Sequence, residues 1–277
     1  MNTYEYSLFI KKQQHIYING EIAGTGNDTA LAAANGYLWP INKVLLAPDR
    51  SLWEIIASRP ELSMYFRALQ INDSIYDAVI NDPLGFYRGY NPGVCFDKDQ
   101  LSRLNFANNN SSASPGLNKR ALLTVLAPTN EAFKAAGFYT EEDILAYASR
   151  SVPDLQCCGW ASLLAMDSVL KLHLLCPGRS SENNLQLYSD MRQVSNFNNG
   201  SFNGWYPVGE ENNFYNGNGA WKRIMPFFLQ FKPAGDAVSI TWSPDAASII
   251  LPPESNRHIM ARNGVLYESD QLFFPHN

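Results

Sequence analysis

The chain is short of charge. Only 17% of its 277 residues are Asp, Glu, Lys or Arg, the formal net charge is −5, and no basic run exceeds two residues. Phosphate binding needs a clustered excess of Lys and Arg, so no nucleic-acid partner is expected. Long apolar runs are missing too. Nothing approaches the roughly 18 to 20 residues that span a bilayer, and Met1 to Tyr6 lacks the basic and apolar pattern of a secretory signal. No transmembrane segment is therefore expected in this chain. Cysteine and histidine are scarce, four of each. Cys95, Cys157, Cys158 and Cys176 lack the CxxC spacing of a zinc site and read as free or buried thiols, with a bridge from Cys176 to Cys157 or Cys158 as the alternative. His15 in a turn, His258 ahead of a strand and His276 at the terminus are too scattered for a metal cluster.

Catalytic patterns are equally thin. HExxH, GxSxG and GxxxxGK do not occur. Glu141, Glu142 and Asp143 occupy the first turn of an expected helix, where acids complement the dipole. Glu210 and Glu211 are adjacent, whereas glycosidases hold two carboxyls roughly 5 to 10 Å apart across a cleft. No enzyme, cofactor or metal is expected.

What the chain does have is a 45% hydrophobic composition, enough for a real core. Its most informative stretch is Ala121 to Phe133, ALLTVLAPTNEAF. Leu122, Leu123, Val125 and Leu126 leave no polar face, which suits a strand covered on both sides, and Pro128 ends the run because it offers no ladder N–H. Thr129 or Asn130 can cap a following short helix, Glu131 suits its first turn, and Gly137 closes it. A second signal is a repeat. AANGYLWPINKVLLAP, Ala33 to Pro48, matches ARNGVLYESDQLFFP, Ala261 to Pro275, with Asn35-Gly36 on Asn263-Gly264, Leu38 on Leu266 and Leu46 on Phe274. Two copies of one strand ending imply two related domains.

Around these landmarks the apolar spacing predicts strands at Leu8 to Ile10 and Ile16 to Ile18, with Lys11 to Gln14 as a polar turn. It predicts a helix capped by Ser51 and a second begun by Pro60, holding Leu62, Tyr65, Phe66 and Leu69. Thr140 with Asp143 predicts another, and Trp160 to Leu170 a fourth, running into a strand within LKLHLLCPG, Leu170 to Gly178. Strands follow at Pro226 to Phe231, Ala237 to Trp242 and Ala246 to Ile250.

TVLAPTNEAF resembles the first signature of the fasciclin domain, over ten consecutive positions. The NG strand resembles that family's closing strand, Ser51 to Leu69 its opening helix pair, and LKLHLLCPG its tyrosine-histidine strand, with Leu172 in place of the usual tyrosine and Cys176 inserted before the proline. The resemblance implies an α+β fold, a fasciclin-like β-sandwich or wedge with a flanking helical layer. It implies structural roles for Thr124, Pro128, Thr129, Asn130, His173, Asn263 and Gly264, with His173 hydrogen-bonded inside the fold. Residues 1–48 would be the last strands of a partial first domain, and residues 49–277 a complete domain with insertions at about 80–120 and 192–225.

The resemblance further implies a non-enzymatic protein of the extracellular space or cell surface, like bacterial surface lipoproteins, acting in adhesion or protein contact and membrane-anchored through a part that precedes Met1. One stretch offers an alternative. Trp205, Tyr206, Tyr215 and Trp221 are interleaved with Asn and Gly within residues 202–221, a composition that suits stacking on a surface glycan.

Overall fold

The computed structural model describes residues 10–12, 15–18, 21–25, 30–42, 44, 48–80, 123–151, 154–156, 159–162, 164–175, 206–208, 212–215, 221–224, 227–234, 237–242, 248–251, 258–261 and 264–274. The first part of the chain holds β1 (Ile10–Lys12), β2 (His15–Ile18), β3 (Glu21–Thr25), β4 (Leu31–Ala33) and β5 (Gly36–Leu38). Helices α1 (Leu52–Ala57) and α2 (Ser63–Ile80) precede β6 (Leu123–Pro128), α3 (Asn130–Ala135) and α4 (Glu141–Ala148). Then come β7 (Asp154–Gln156), β8 (Gly159–Ser162), α5 (Ala165–Leu172) and β9 (Leu174–Leu175). The remainder is β-structure: β10 (Tyr206–Val208), β11 (Asn212–Tyr215), β12 (Trp221–Ile224), β13 (Phe227–Ala234), β14 (Ala237–Thr241), β15 (Ile249–Leu251), β16 (His258–Ala261) and β17 (Gly264–Ser269). The protein is α+β.

Strand β6 lies inside a four-stranded sheet of order β16-β17-β6-β9. β17 runs parallel to it, from Gly264 opposite Leu123 to Ser269 opposite Pro128, and the flanking pairings are antiparallel. Alternate residues of a strand face opposite ways, and here both directions lead into protein. Val125, Ala127 and Leu266 join a core with Leu52, Ile56 and Leu69 from the helices. Leu126, Val265 and Tyr267 join Leu229, Phe231, Val238, Ile240 and Ile249 in a second core. The partners in that second core come from a sheet of order β10-β13-β14-β15. The absence of a polar face in LLTVLA thus has a direct cause. Val125, Leu126, Val265 and Leu266 are wholly buried, each worth about 1.5–3 kcal/mol relative to exposure.

The helix signals resolve in detail. Ser51 accepts from the Glu54 amide while the Glu54 carboxylate accepts from the Ser51 amide, a reciprocal capping box. Thr129, not Asn130, caps α3, accepting from the Ala132 amide at 3.3 Å. Gly137 follows that helix at φ +93°, a conformation that favours glycine. Thr140 and Asp143 form the expected box at the start of α4.

Other expectations need correction. Trp160 lies in β8, where it pairs with Leu155, and the helix expected from it begins at Ala165. Leu170 to Leu172, expected to open a strand, form the last turn of α5, leaving only Leu174 and Leu175 as strand. Met166, Val169, Leu170 and Leu172 are all buried, and the alternation of Leu170, Leu172 and Leu174 with Lys171 and His173 has the period of a strand although Leu170 to Leu172 are helical. Lys11 and Lys12 lie within β1, and His15 opens β2 opposite Thr25 instead of sitting in a turn. α2 continues to Ile80. Residues 81–122 lie outside the described set, as do Ser189 to Met191 and all four cysteines. Within 192–225, β10 adds to the second sheet by pairing with β13.

The repeated NG segment is repeated as structure. β4 pairs with β5 through Leu31 and Leu38, Ala32 and Tyr37, and Ala33 and Gly36. β16 pairs with β17 through Ile259 and Leu266, Met260 and Val265, and Ala261 and Gly264. The two hairpins share one register and one position for the glycine.

Candidate functional site

Thr124, Pro128, Thr129, Asn130 and His173 lie along the seam where β6 meets α3, α5 and the residues after β17. Pro128 cannot donate to the β6–β17 ladder, and the Thr129 amide takes over, donating to the Ser269 carbonyl at 2.9 Å. Asn130 bridges to the other helix pair. Its Oδ1 accepts from the Met64 amide at 2.9 Å and its Nδ2 donates to the Pro60 carbonyl at 2.8 Å. One side chain so joins the start of α3 to the start of α2. Thr124 is fully buried in β6.

His173 follows α5 and is completely buried. Its Nδ1 donates to the Leu126 carbonyl at 2.7 Å, its Nε2 accepts from the Phe273 amide at 3.0 Å, and its own carbonyl accepts from the Leu126 amide. A backbone carbonyl on one nitrogen and a backbone N–H on the other fix the neutral, Nδ1-protonated tautomer. Burial pushes its pKa down to about 3, opposed in part by the hydrogen bond to Leu126. The ring stacks on Phe273 at 4.3 Å between centroids, and Phe273 stacks on Trp242 at 4.7 Å. Tyr65 lies edge-on at 6.4 Å. With both nitrogens engaged by backbone, His173 has none left for a metal or for proton transfer. It ties β6, α5 and the residues after β17 together.

Two polar joints were not anticipated. Asn72 and Asp167, both buried, meet at 3.1 Å between α2 and α5. The only sequence hint was a polar residue inside each apolar helical face. Arg59 forms ion pairs with Glu61 and Glu268, tying the turn after α1 to β17.

The acidic cluster Glu141, Glu142 and Asp143 is a helix start. The backbone amides of Tyr139 and Thr140 donate to Asp143 and lower its pKa, and Glu141 pairs with Arg67 at 2.7 Å. Among the described residues no group of three or more His, Cys, Asp or Glu is placed to hold a metal ion, and no helix is long and apolar enough to cross a membrane.

Gly264 is buried at the start of β17, and Asn263 lies outside the described residues. So does Trp205. Tyr206 falls in β10 opposite Leu229, and Tyr215 and Trp221 are paired residues of the β11–β12 hairpin. Tyr206 is therefore on a different sheet from the other two.

Among the described residues, large exposed apolar side chains gather in one segment. Leu31, Tyr37, Leu38, Trp39, Ile41 and Val44 are all exposed within the β4–β5 segment, up to 81% at Val44.

No protein-family model matches the chain, and no curated protein matches it. Among solved structures it is similar to a FAS1 domain pair from the insect cell adhesion molecule fasciclin I, at 13% identity and a TM-score of 0.45. That alignment covers 96% of this chain and 66% of the other, so the chain spans just under two thirds of that structure.

Proposed function

We propose that this protein is a non-enzymatic contact module of the fasciclin type, exported to the cell surface and acting in adhesion or protein–protein contact. The observation that carries the contact role is the concentration of exposed large apolar side chains in one segment, Leu31, Tyr37, Leu38, Trp39, Ile41 and Val44, since exposed apolar surface is a mark of interaction sites. The fasciclin assignment rests on TVLAPTNEAF and the repeated NG strand. Residues of the segments that resemble the family are engaged in joints: Thr129 in a cap, Asn130 between two helix starts, and His173 of LKLHLLCPG between three segments. This favours a scaffold role for them over chemistry.

The test is labelling of intact producing cells with a membrane-impermeant amine reagent, followed by crosslinking. The reading expects the protein to be labelled without lysis and crosslinked to a protein partner, with the crosslink lost in a Tyr37→Asp, Leu38→Asp variant. Labelling only after lysis would overturn the surface role, and an undiminished crosslink would overturn the role of the patch.

A second reading, carbohydrate binding, is favoured by the pairing of Tyr215 with Trp221 across β11–β12. It predicts retention on a glycan array that a Trp205→Ala, Trp221→Ala variant loses, and it fails if the two bind alike.

A further inference from the structure

The register of the β11–β12 hairpin sorts its residues into two faces of unlike chemistry. Asn213 is paired with Arg223 and Tyr215 with Trp221, while Asn212 is paired with Ile224 and Phe214 with Lys222. Successive residues of a strand belong to opposite faces, so Asn213, Tyr215, Trp221 and Arg223 share one face and Asn212, Phe214, Lys222 and Ile224 the other. The first face holds two aromatic residues directly across the strands. About 7 Å further along it stands a pair made of an amide and a guanidinium. The two strands contain no acidic residue, and of their two basic residues only Arg223 is on the aromatic face. β11 also lies beside β8, which places Trp160 in the neighbouring strand.

We propose that this face is a binding site for an acidic glycan, one whose sugar rings carry carboxylates. A sugar ring offers an apolar C–H face, which suits the broad surfaces of Tyr and Trp, and hydroxyls, which suit an amide such as that of Asn213. Arg223 adds the selection for charge. A guanidinium is a planar fork that takes a carboxylate through two parallel hydrogen bonds, and it keeps its charge at every physiological pH. With one ring at the Tyr215–Trp221 pair, a carboxylate of that ring or of the next falls at the Asn213–Arg223 pair. A neutral glycan gives the arginine no counter-charge, and an acidic peptide of Asp and Glu gives the aromatic pair no ring. The chain's formal charge of −5 opposes an anion only weakly, because exposed charges more than about 8 Å away are screened at physiological salt. The inference rests on the carbohydrate reading of this hairpin, to which it adds the class of sugar and the residue that selects it.

The probes are fluorescently labelled tetramers of galacturonic acid and of mannuronic acid, with the neutral tetramers of galactose and mannose beside them. Each is titrated into the intact chain at physiological salt and read by anisotropy. Arg223→Gln and Arg223→Lys test the selection for charge, and Tyr215→Ala with Trp221→Ala tests the aromatic pair. Lys222→Gln, one position away on the opposite face, is the control for charge alone, and circular dichroism and melting establish that each variant folds. The expected result is saturable binding of an acidic tetramer, tighter than its neutral counterpart by about tenfold or more. Arg223→Gln should erase that preference, Arg223→Lys should keep part of it, Lys222→Gln should leave it unchanged, and the aromatic variant should bind neither tetramer. If no tetramer binds the wild type, the carbohydrate reading falls and this inference with it. If acidic and neutral tetramers bind alike, or Lys222→Gln weakens acidic binding as much as Arg223→Gln does, the acidic-glycan site is overturned while the carbohydrate reading stands. Equally tight binding of a labelled tetraglutamate peptide also overturns it, because the ligand would then be any chain of carboxylates.

Discussion

The hairpins β4–β5 and β16–β17 are nearly the same object in two environments. Each has a two-residue connection before its glycine and the same three cross-strand pairs. One has its apolar side chains in solvent and the other has them in two cores. Local sequence therefore set the hairpin, and the neighbours set its burial. For β17 those neighbours are a parallel strand some 140 residues earlier in the chain, together with the helices and the second sheet.

The sharpest way to break this comparison is to mutate both copies alike. Leu266→Ala should cost about 2–5 kcal/mol in denaturant unfolding, as a large-to-small change in a packed core, whereas Leu38→Ala should stay within about 0.5 kcal/mol. Equal effects would mean that the exposed copy is packed in solution.

Next in size is the seam that holds the covered copy shut. His173→Leu removes the partners of the Leu126 carbonyl and the Phe273 amide and should cost about 2–4 kcal/mol at pH 7. It should also change the pH dependence. The folded-state pKa of His173 lies below its unfolded value, so the unfolded state binds the extra proton. The stability is fully present above about pH 6.5 and is lost as pH falls toward about 3, by up to about 1.4 kcal/mol per pH unit. Unfolding measured at pH 7, 6, 5 and 4 should show that slope in wild type and less of it in the variant. Parallel curves would mean that the ring is not buried neutral.

Asn130→Ala should cost about 1–2 kcal/mol, because the Met64 amide and Pro60 carbonyl lose their partner. Its effect would fall on both helix pairs at once, seen as faster amide exchange at the starts of α2 and α3. The smallest effect should come from Arg67→Gln. It breaks an exposed pair with Glu141 and should shift stability by no more than about 0.5 kcal/mol.

How much of this could be read from residues alone follows the range of the interaction. Ser51, Thr129, Gly137 and the Thr140–Asp143 box act within four residues, and their local chemistry states their roles. Strand β6 was legible because burial on both faces leaves a run without polar residues. The helix within Trp160 to Leu172 was misplaced because Leu170, Leu172 and Leu174 alternate with Lys171 and His173, a strand-like period that overlaps the last turn of the helix. The end of α2 was obscured by Asn72, Asp73 and Ser74, of which Asn72 is spent on buried Asp167, 95 positions away. The repeat was visible, but nothing in it told which copy would be covered. The seam was half legible: His173 reads as a satisfied buried histidine, yet its two partners, Leu126 and Phe273, lie 47 and 100 positions away. The aromatic residues 205–221 gave composition without geometry.

The most direct measurement is native-state hydrogen exchange on the intact chain, comparing amides of Gly36 to Leu38 with those of Gly264 to Tyr267. Amides of β17 should exchange only through global unfolding, while those of β5 should exchange through local opening, orders of magnitude faster. Equal protection in the two hairpins would contradict the claim that one copy is packed into two cores while the other is exposed.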